Sequence, residues 1–337
     1  MQMLRAAHSI FDTEALRTRL SGLFEGLSGF EACRFFRSFV NDTYQLEAGG
    51  RLYYLRVYQA GWRTLAQARS EMALIEAVAA RGAHVARPVA LHDGNGFVLE
   101  LEAPEALRPA VLFEEAPGAD LVFHGAGGPK NADLYGRVAA GLHLALDGLP
   151  AFSDRPGWLG PDVLDRPLQV IGALLAPESR ATFEQTVRRL HDLIASTPGL
   201  TMAMCHGDLN TSNLHFDGET ATVLDFDCAA WGWRANDISG FARGVTLFRY
   251  PGDEATNLIS SFLRGYQDVR RIPEVDYEAL PAFLLTQRIW LTAVHLEGRH
   301  RWGLSSFGPA YLQRFCEWLA AWSPILDKRP GWLAARI

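Results

Sequence analysis

Lysine is almost missing from this sequence. Among its 32 lysine and arginine residues only Lys130 and Lys328 are lysines, so the first 116 residues contain none. Any role in that part of the chain that needs a permanent cation must fall to arginine, whose planar guanidinium group stays charged. The formal net charge of -6 at pH 7 also argues against a general affinity for nucleic acid, so no such partner is expected.

Long apolar runs and clustered cysteines are lacking as well. No stretch of about 18 apolar residues occurs, so no membrane span is predicted. The N-terminal residues lack the continuous apolar region of a signal peptide. The four cysteines show neither zinc-site spacing nor a dense disulfide framework, which favours a reducing, cytoplasmic location. The oligomeric state stays open.

The first 116 residues show the pattern of one helix followed by a small antiparallel sheet. Apolar residues at helical spacing behind Asp12 and Thr13 predict a helix over residues 12–27. A second helix, rich in Ala and Glu, is predicted to follow the third strand and to end at Gly82. Aromatic and β-branched runs between turn signals predict five strands, at residues 32–39, 43–48, 51–58, 97–103 and 110–116.

After Pro117 and Gly118 the pattern is mainly helical. Two short strands interrupt it around Asp217 and Gly218, a pair of residues that strongly favours a hairpin turn. The predicted fold class is therefore α+β, with a five-stranded antiparallel N-terminal lobe and a mainly helical C-terminal lobe. We expect the lobes to comprise residues 1–116 and 117–337, joined near residues 114–118.

The richest stretch for chemistry is CHGDLNTSNLHFDGETATVLDFD, residues 205–227. A hydroxyl that attacks phosphorus needs a carboxylate to orient it and take its proton, and Asp208 is a candidate. Mg²⁺ prefers hard oxygen ligands and takes one or two from protein, for which Asn213 and Asp225 are candidates. The alternative is a solvated acidic turn, which does not explain why a five-residue gap, a hairpin and an Asp-Phe-Asp triplet occur together.

This order of residues resembles the catalytic segment of protein kinases, in which H-R-D-x-x-x-x-N precedes D-F-G. With Gly207 in place of the arginine, it is similar to the aminoglycoside phosphotransferase and choline kinase-like family, which includes homoserine kinases of the second bacterial type. The segment WGWRANDISGF, with Asp237, also looks like that family. The resemblance extends from about residue 25 to residue 320.

The resemblance implies a protein-kinase-like bilobal fold, with a nucleotide-binding first lobe and a helical lobe for catalysis and acceptor binding. Asp208 would be the catalytic base, while Asn213 and Asp225 would hold Mg²⁺. His206 and Asp237 would be structural. Asp227 remains open between a second metal, the substrate and a plain surface carboxylate.

The nucleotide would need a cation for its phosphates, held by a carboxylate from the following helix. In YYLRVY, Arg56 takes the place of the family's lysine or arginine on the third strand, and the alternative is an edge-strand arginine in solvent. As its partner we predict Glu71 rather than Glu76, although an exposed helical charge is the alternative.

Two further segments are predicted to contact the nucleotide. The phosphate-covering loop should lie at residues 40–43, where Asn41 and Thr43 are candidate ligands in the absence of the glycine-rich motif of protein kinases. An Asn-Asp pair is also simply a good turn. The adenine should meet backbone groups around Glu114 and Ala116, a contact that sequence does not specify.

The predicted reaction is Mg²⁺-dependent transfer of the γ-phosphoryl group of ATP to a hydroxyl of a small molecule, such as an amino alcohol, a sugar or an aminoglycoside-like compound. Arg288 or His295 is able to meet a carboxylate or phosphate on the acceptor, but a solvated helix face is the commoner role for such residues. A stress-response-type protein Ser/Thr kinase and a non-catalytic nucleotide-binding regulator are the alternatives. The sequence does not choose between ATP and GTP.

Overall fold

The computed structural model describes residues 6–92, 94–152, 154–155, 161–247 and 251–334. The outermost residues of the two predicted lobes, 1–5 and 335–337, lie outside this range. The chain forms two units. The first comprises Met1–Pro117 together with Thr222–Asp227, and the second comprises Gly118–Ala221 together with Cys228–Ile337. A short segment that ends with Asp227 therefore belongs with the N-terminal residues.

The first unit is built on an antiparallel sheet of five strands in the order β1-β2-β3-β5-β4. β3 is the central strand. One helix, α1, precedes the sheet, and α2 follows β3. The bounds are Thr13–Leu20 for α1, Ala32–Ser38 for β1, Asn41–Ala48 for β2, Arg51–Tyr58 for β3, Leu65–Ala80 for α2, Val98–Glu102 for β4 and Leu107–Glu114 for β5.

The hairpin between β2 and β3 shows how the sequence sets the register. Gly49 and Gly50 both have positive φ, which a tight two-residue hairpin turn requires. Along β2, buried and half-buried residues alternate strictly, so Tyr44 and Leu46 point into the core. β2 begins at Asn41 and not at residue 43 as predicted, because Asp42 is buried and paired with another buried side chain, Arg108, at 2.6 Å.

Helix α2 carries an acidic residue on its buried face. The helix begins with a capping box, in which Thr64 and Gln67 satisfy each other's backbone amides. Ala68, Met72 and Ile75 are buried at the helical spacing of three to four residues, and Glu71 shares that face. The helix therefore brings a carboxylate into the interior, where it needs a partner.

The second unit is mainly helical. Strands β6 and β9 form a two-stranded antiparallel sheet, while β7 and β8 are joined by the predicted turn, at which Gly218 has positive φ. The helices are Gly128–Leu146 (α3), Pro161–Gly172 (α4), Pro177–Ala195 (α5), Arg234–Thr246 (α6), Asp253–Val269 (α7), Glu274–Trp302 (α8), Leu304–Phe307 (α9), Pro309–Trp322 (α10) and Gly331–Ala334 (α11). The strands are Met202–Cys205 (β6), Leu214–Asp217 (β7), Thr220–Val223 (β8) and Ala230–Trp233 (β9).

The predicted α+β class, with its five-stranded antiparallel sheet and helical C-terminal part, is confirmed. Among the described helices, none is both long and apolar enough to cross a lipid bilayer.

Helices α3 and α7 approach each other until their backbones touch. A Cβ atom on Gly136 of α3 would lie 2.0 Å from the carbonyl oxygen of Phe262 in α7. Reciprocally, a Cβ atom on Gly265 of α7 would lie 2.0 Å from the carbonyl oxygen of Asp133 in α3. Since both distances are far below van der Waals contact, only glycine fits at either position.

Candidate active site

Arg56 is the centre of a buried polar cluster in the first unit, which we call the Arg56 cluster: Arg56, Tyr58, Glu71 and Asp225. The guanidinium group of Arg56 donates from Nη2 to Glu71 Oε1 and, at 2.7 Å, to the Tyr58 hydroxyl. That hydroxyl donates in turn to the other Glu71 oxygen at 2.7 Å. Nη1 of Arg56 donates to Asp225 Oδ1 at 2.9 Å.

The cluster holds Arg56 charged and fixed in the sheet. Only 8% of the residue is exposed, and its guanidinium carbon lies 4.8 Å from the ring centre of Tyr58 and 4.9 Å from that of Phe113. Burial has the largest single influence and disfavours its charge, but Glu71, Tyr58, Asp225 and Asp227 together keep the pKa of Arg56 above its ordinary value. Because β3 is the central strand, Arg56 is not an edge-strand arginine in solvent.

Glu71, and not Glu76, is the partner of Arg56. Glu71 is completely buried, whereas Glu76 lies on the half-exposed side of α2 and pairs with Arg87 at 3.4 Å. The sequence did not identify Tyr58, although a signal was present. Tyr58 stands two residues after Arg56, and residues two apart on a strand point to the same face.

Asp225 is the only non-glycine residue with positive φ in the described part of the chain, with φ of 56°. This left-handed conformation is unusual for a residue with a Cβ atom, although Asp tolerates it better than most. Its side chain is 37% exposed, so the carboxylate that contacts Arg56 also reaches solvent.

Asp227 is an internal anchor and not a surface carboxylate. Its carboxylate accepts hydrogen bonds from Asn41 Nδ2 at 2.9 Å, Trp62 Nε1 at 2.7 Å and Arg63 Nε at 2.7 Å. Burial raises the pKa of Asp227, but the positive charges of Arg63 and Arg56 outweigh burial and lower it. The three donors tie the segment 222–227 to the beginning of β2 and to the residues before α2.

The remaining residues predicted to bind nucleotide lie in strands or at their ends. The Asn41 amide nitrogen is used on Asp227, and Thr43 stands opposite Arg56 in the pairing of β2 with β3. Asn41 and Thr43 are thus both in β2, and the turn before β2 is confined to residues 39–40. Glu114 ends β5, and its amide nitrogen donates to the Arg87 carbonyl at 2.9 Å, while Ala116 follows two residues later.

In the second unit, Asp208 lies in a loop at residues 206–213, which we call the Asp208 loop. Two side chains, those of Arg243 and Asn213, hold it there. Arg243 donates from Nη2 to Oδ1 of Asp208. Asn213 donates from Nδ2 to the backbone carbonyl of Asp208 at 2.7 Å and to Oδ2 at 3.2 Å. The side chain of Asp208 is 26% exposed, so this oriented carboxylate is open to solvent.

A second carboxylate, that of Asp237, fixes the start of this loop. It accepts hydrogen bonds from the backbone nitrogens of His206 at 2.6 Å and Gly207 at 2.8 Å, and it contacts Nε2 of His143 at 3.0 Å. Burial raises the pKa of Asp237, but the hydrogen bond from His143 and nearby positive charge lower it to about 2. The His206 ring lies inside, where its Nδ1 accepts a hydrogen bond from the Asp208 amide at 3.3 Å.

One face of α6 supports the whole loop. Gly240 stands three residues after Asp237, and Arg243 and Gly244 stand three and four residues after Gly240, so all four lie on that face. A Cβ atom on Gly240 would lie 2.6 Å from the carbonyl oxygen of Leu209, and one on Gly244 would lie 2.9 Å from the Thr211 hydroxyl. The glycines let the loop lie against the helix backbone while the two charged side chains reach its polar atoms.

Arg243 was not found from the sequence. It stands 35 residues after its partner, and no local motif links the two. The available signal was a lone arginine in SGFARG, where small and apolar neighbours predict a buried position that an arginine occupies only with a partner.

Arg288 differs from its expected position on a solvated helix face. The side chain is buried, and its guanidinium carbon lies 5.8 Å from the ring centre of Tyr311 and 5.7 Å from that of Trp318. His295 is also largely buried, and its Nδ1 lies 2.6 Å from the Tyr311 hydroxyl. Helix α8 is buried on several sides, and polar and apolar residues are mixed along it. Its sequence therefore shows no single apolar face from which the burial of its polar residues could be predicted.

The family follows from a comparison of the whole sequence. The family model described as "Phosphotransferase enzyme family" (APH) matches residues 32–283, which is well over half of the chain. This chain belongs to the phosphotransferase enzyme family. The predicted family is thereby confirmed, and the matched range includes the Arg56 cluster and the Asp208 loop.

Individual proteins agree with this assignment. An uncharacterized protein of Deinococcus radiodurans is 33% identical over 324 residues, which cover 94% of this chain and 92% of that protein. Two solved kinases share the fold. Amicoumacin kinase hAmiN, solved with AMP-PNP, Ca²⁺ and Ami, has a TM-score of 0.75 and 20% identity, covering 95% of each chain. A microcompartment-associated aminopropanol kinase has a TM-score of 0.73 and 21% identity, covering 94% of this chain and 96% of the other.

Proposed function

We propose that this phosphotransferase moves the γ-phosphoryl group of ATP to a hydroxyl group of a small molecule, with Mg²⁺. The observation that carries the proposal is the geometry of Asp208, an exposed carboxylate held by Arg243 and Asn213 in a loop that Asp237 fixes. A general base must be oriented toward the hydroxyl it deprotonates while staying open to the substrate. Asp208 meets both conditions.

In this proposal the first lobe, residues 1–116, binds the nucleotide. Arg56 contacts its phosphates, and Glu71 and Tyr58 keep the guanidinium group in place. A fork of N–H donors suits phosphate oxygens, and a fixed fork loses little conformational entropy on binding. Asn41 and Thr43 lie next to this position on β2. The purine contacts backbone groups at Glu114 and Ala116. Since the Glu114 amide already donates to Arg87, its carbonyl oxygen is the group that accepts from the purine.

The donor atoms fit the proposed magnesium ion. Both contacts of the Asn213 amide nitrogen are with Asp208, which leaves its Oδ1 as a hard oxygen ligand. Asp225 offers a partly exposed carboxylate. The ion would neutralise charge on the phosphate oxygens and take its other ligands from phosphate and water. Within the described residues, no three His, Cys, Asp or Glu side chains form a metal site by themselves.

The helical lobe, residues 117–337, would bind the acceptor and perform the catalysis. The names of the two structural neighbours, an amicoumacin kinase and an aminopropanol kinase, support a small acceptor. The segment that follows Asp225 also supports a small acceptor, because it is short: α6 begins at Arg234, only nine residues later. Protein kinases place a long activation segment there to hold their peptide substrate. The presence of Asp208, Asn213 and Asp225 favours catalysis over a purely regulatory role.

The test is a coupled assay of ADP release, with Mg²⁺ and ATP, over a panel of homoserine, choline, aminoglycosides, sugars and a peptide mixture. We expect at least one small hydroxyl compound to stimulate ADP release, and chelation of the metal to abolish it. Stimulation by the peptide mixture alone would contradict the proposal, and so would metal-independent turnover.

A separate prediction concerns Arg56. Arg56→Ala should weaken ATP binding by about 1.5–3 kcal/mol, the range for a hydrogen bond to a charged group. Arg56→Lys should restore part of the loss, because a point charge replaces a two-pronged fork. Glu71→Gln should have a milder effect, since Tyr58 still holds the guanidinium group. Calorimetric titration of each variant with ATP and Mg²⁺ measures these differences.

The control for this series is Arg51→Ala. Arg51 lies on the same strand but is exposed and only loosely paired with Glu114, at 3.8 Å. Circular dichroism should first show that Arg56→Ala is folded, because it leaves Glu71 buried without its main partner. If the Arg51 variant lost affinity for ATP while a folded Arg56 variant kept it, Arg56 would not be the residue that contacts the phosphates.

A further inference from the structure

Arg288 carries a buried positive charge that the described protein does not neutralise. The residue is 5% exposed, and its Nε and Nη1 atoms have no hydrogen-bond partner among the described residues. No described carboxylate forms an ion pair with it. Tyr311 is a neutral hydrogen-bond partner of the guanidinium group, so the charge itself has no counterion among the described residues. Leaving a guanidinium group buried without an anion costs several kcal/mol, so such a group calls for an anionic partner from outside the chain.

The surroundings of Arg288 are cationic and aromatic. On α6, Arg243 is near enough to disfavour the charge of Arg288, and it adds to burial in lowering the pKa of Arg288. On α10, Tyr311 and Trp318 lie beside the guanidinium group, and the exposed Arg314 adds a further positive charge. Burial lowers the pKa of His295 to about 3, helped by Arg288 and Arg243, so His295 is neutral at pH 7.

Among the described charges around Arg288, one positive charge has no counterpart. Arg243 is paired with Asp208, and His295 contributes no charge. Arg288 therefore remains as a single cation, and a singly charged anion balances it. A carboxylate provides one negative charge and two acceptor oxygens in a plane, which suits a guanidinium group.

The position of Arg288 relates this charge to the chemistry. Trp318, whose ring centre lies 5.7 Å from the Arg288 guanidinium carbon, donates from Nε1 to the carbonyl oxygen of Thr246 at 3.0 Å. Thr246 stands three residues after Arg243 on α6, and Arg243 contacts Asp208, so Arg288 and Asp208 belong to one neighbourhood formed by the Asp208 loop, α6, α8 and α10. We infer that the acceptor carries a carboxylate besides its hydroxyl group, and that Arg288 binds this carboxylate while the hydroxyl lies at Asp208. This inference rests on the proposed function and names the acceptor class.

The experiment compares acceptors that differ in the anionic group alone. One pair is 4-hydroxybutanoate and propan-1-ol, which is 4-hydroxybutanoate without its carboxylate. A second set is glycerol, D-glycerate and glycerol 3-phosphate. In the ADP-release assay we expect the carboxylate member to have at least a tenfold higher kcat/KM than its neutral counterpart. Equal rates for the neutral member, or a preference for glycerol 3-phosphate, would overturn the inference.

Variants then assign the preference to one residue. Arg288→Gln should lower kcat/KM for the carboxylate acceptor about 10- to 100-fold, the loss expected for a hydrogen bond between charged groups, and leave the neutral acceptor unchanged. Arg288→Lys should recover only part. Arg314→Gln is the matched control, since it removes a nearby exposed charge, and it should have little effect. If Arg288→Gln and Arg314→Gln lowered kcat/KM for the carboxylate acceptor equally, the preference would come from the overall positive potential of this region, and the inference would be wrong.

Two readouts keep the inference separate from the proposed function. If no compound is phosphorylated, the proposed function fails, and calorimetric titration with 4-hydroxybutanoate, glycerate and their neutral counterparts decides the inference alone. Carboxylate-dependent binding that Arg288→Gln abolishes supports it, and its absence overturns it. The unfolding temperature of Arg288→Gln should not fall, because the variant removes an unpaired buried charge. A marked fall would indicate a structural role instead.

Discussion

Replacing Asp208 by Asn should reduce kcat by a factor of about 10² to 10⁴, the usual contribution of a positioned general base. Asn has the same shape but cannot take the proton of the acceptor hydroxyl. Arg243 and Asn213 still have an oxygen atom to contact, so the loop should keep its conformation and nucleotide affinity should stay the same. Steady-state kinetics with the best acceptor, together with calorimetric titration of ATP, measures both quantities.

The control for this variant is Asp217→Asn, which changes an exposed carboxylate at the end of β7. Its kcat should equal that of the wild type. Asp225→Ala provides a contrast of a different kind, because it removes a proposed metal ligand and should weaken ATP binding in the presence of Mg²⁺. Wild-type turnover in Asp208→Asn would show that another group takes the proton.

The second large effect is expected from Asp237→Ala. The carboxylate satisfies two backbone amides and the His143 ring, all of them buried. Each buried donor left without a partner costs about 1–3 kcal/mol, so the free energy of unfolding should fall by at least about 3 kcal/mol. Because the same amides start the Asp208 loop, kcat should fall as well. Thermal and denaturant unfolding, with kinetics below the transition, test both effects.

Asp237 also predicts a dependence on pH. Its pKa in the folded protein, about 2, lies below the ordinary value of an Asp, so the stability it contributes is present above about pH 4. That contribution disappears as the pH falls from about 4 towards 2. The difference in stability between wild type and Asp237→Ala should therefore shrink over this interval. A constant difference would mean that the carboxylate charge does not stabilise the loop.

For Asp237→Ala the matched control is Asp268→Ala. Asp268 pairs with Arg137, and both side chains are more than two-fifths exposed, so solvent screens the interaction. Its loss should change the free energy of unfolding by less than about 1 kcal/mol. A similar loss in both variants would show that burial of the Asp237 carboxylate is not what makes its removal costly.

The sequence predicted those parts of the molecule that depend on local pattern. Alternation along β2, the glycine turn before β3 and the helical spacing of α2 are set by neighbours in the chain, so the five-stranded sheet followed from them. Arg56 was predicted from the resemblance of YYLRVY to the family's third strand, in a part of the chain that has no lysine. Glu71 was predicted as its partner on the following helix, and the two side chains do form an ion pair.

The sequence did not predict features that depend on distant packing. The role of Asp227 was left open between a second metal, the substrate and a surface carboxylate, but its carboxylate accepts hydrogen bonds from Trp62 and Arg63, more than 160 residues earlier. Arg288 is on a helix whose polar residues suggested solvent, and Arg243 was not singled out at all. Their burial is decided by the helices packed around them, and the amphipathic pattern of a single helix does not contain that information.

The two backbone contacts between α3 and α7 have a consequence for engineering. Even a methyl group at Gly136 or Gly265 meets a carbonyl oxygen, so single substitutions cannot alter the spacing of these helices without moving a backbone. Helices α8 and α10 instead meet through long side chains, such as those of Arg288, Tyr311 and Trp318, which other residues can replace. Because we infer that Arg288 binds the acceptor, a library meant to change which acceptor the enzyme takes should leave Gly136 and Gly265 untouched and vary the positions on α8 and α10.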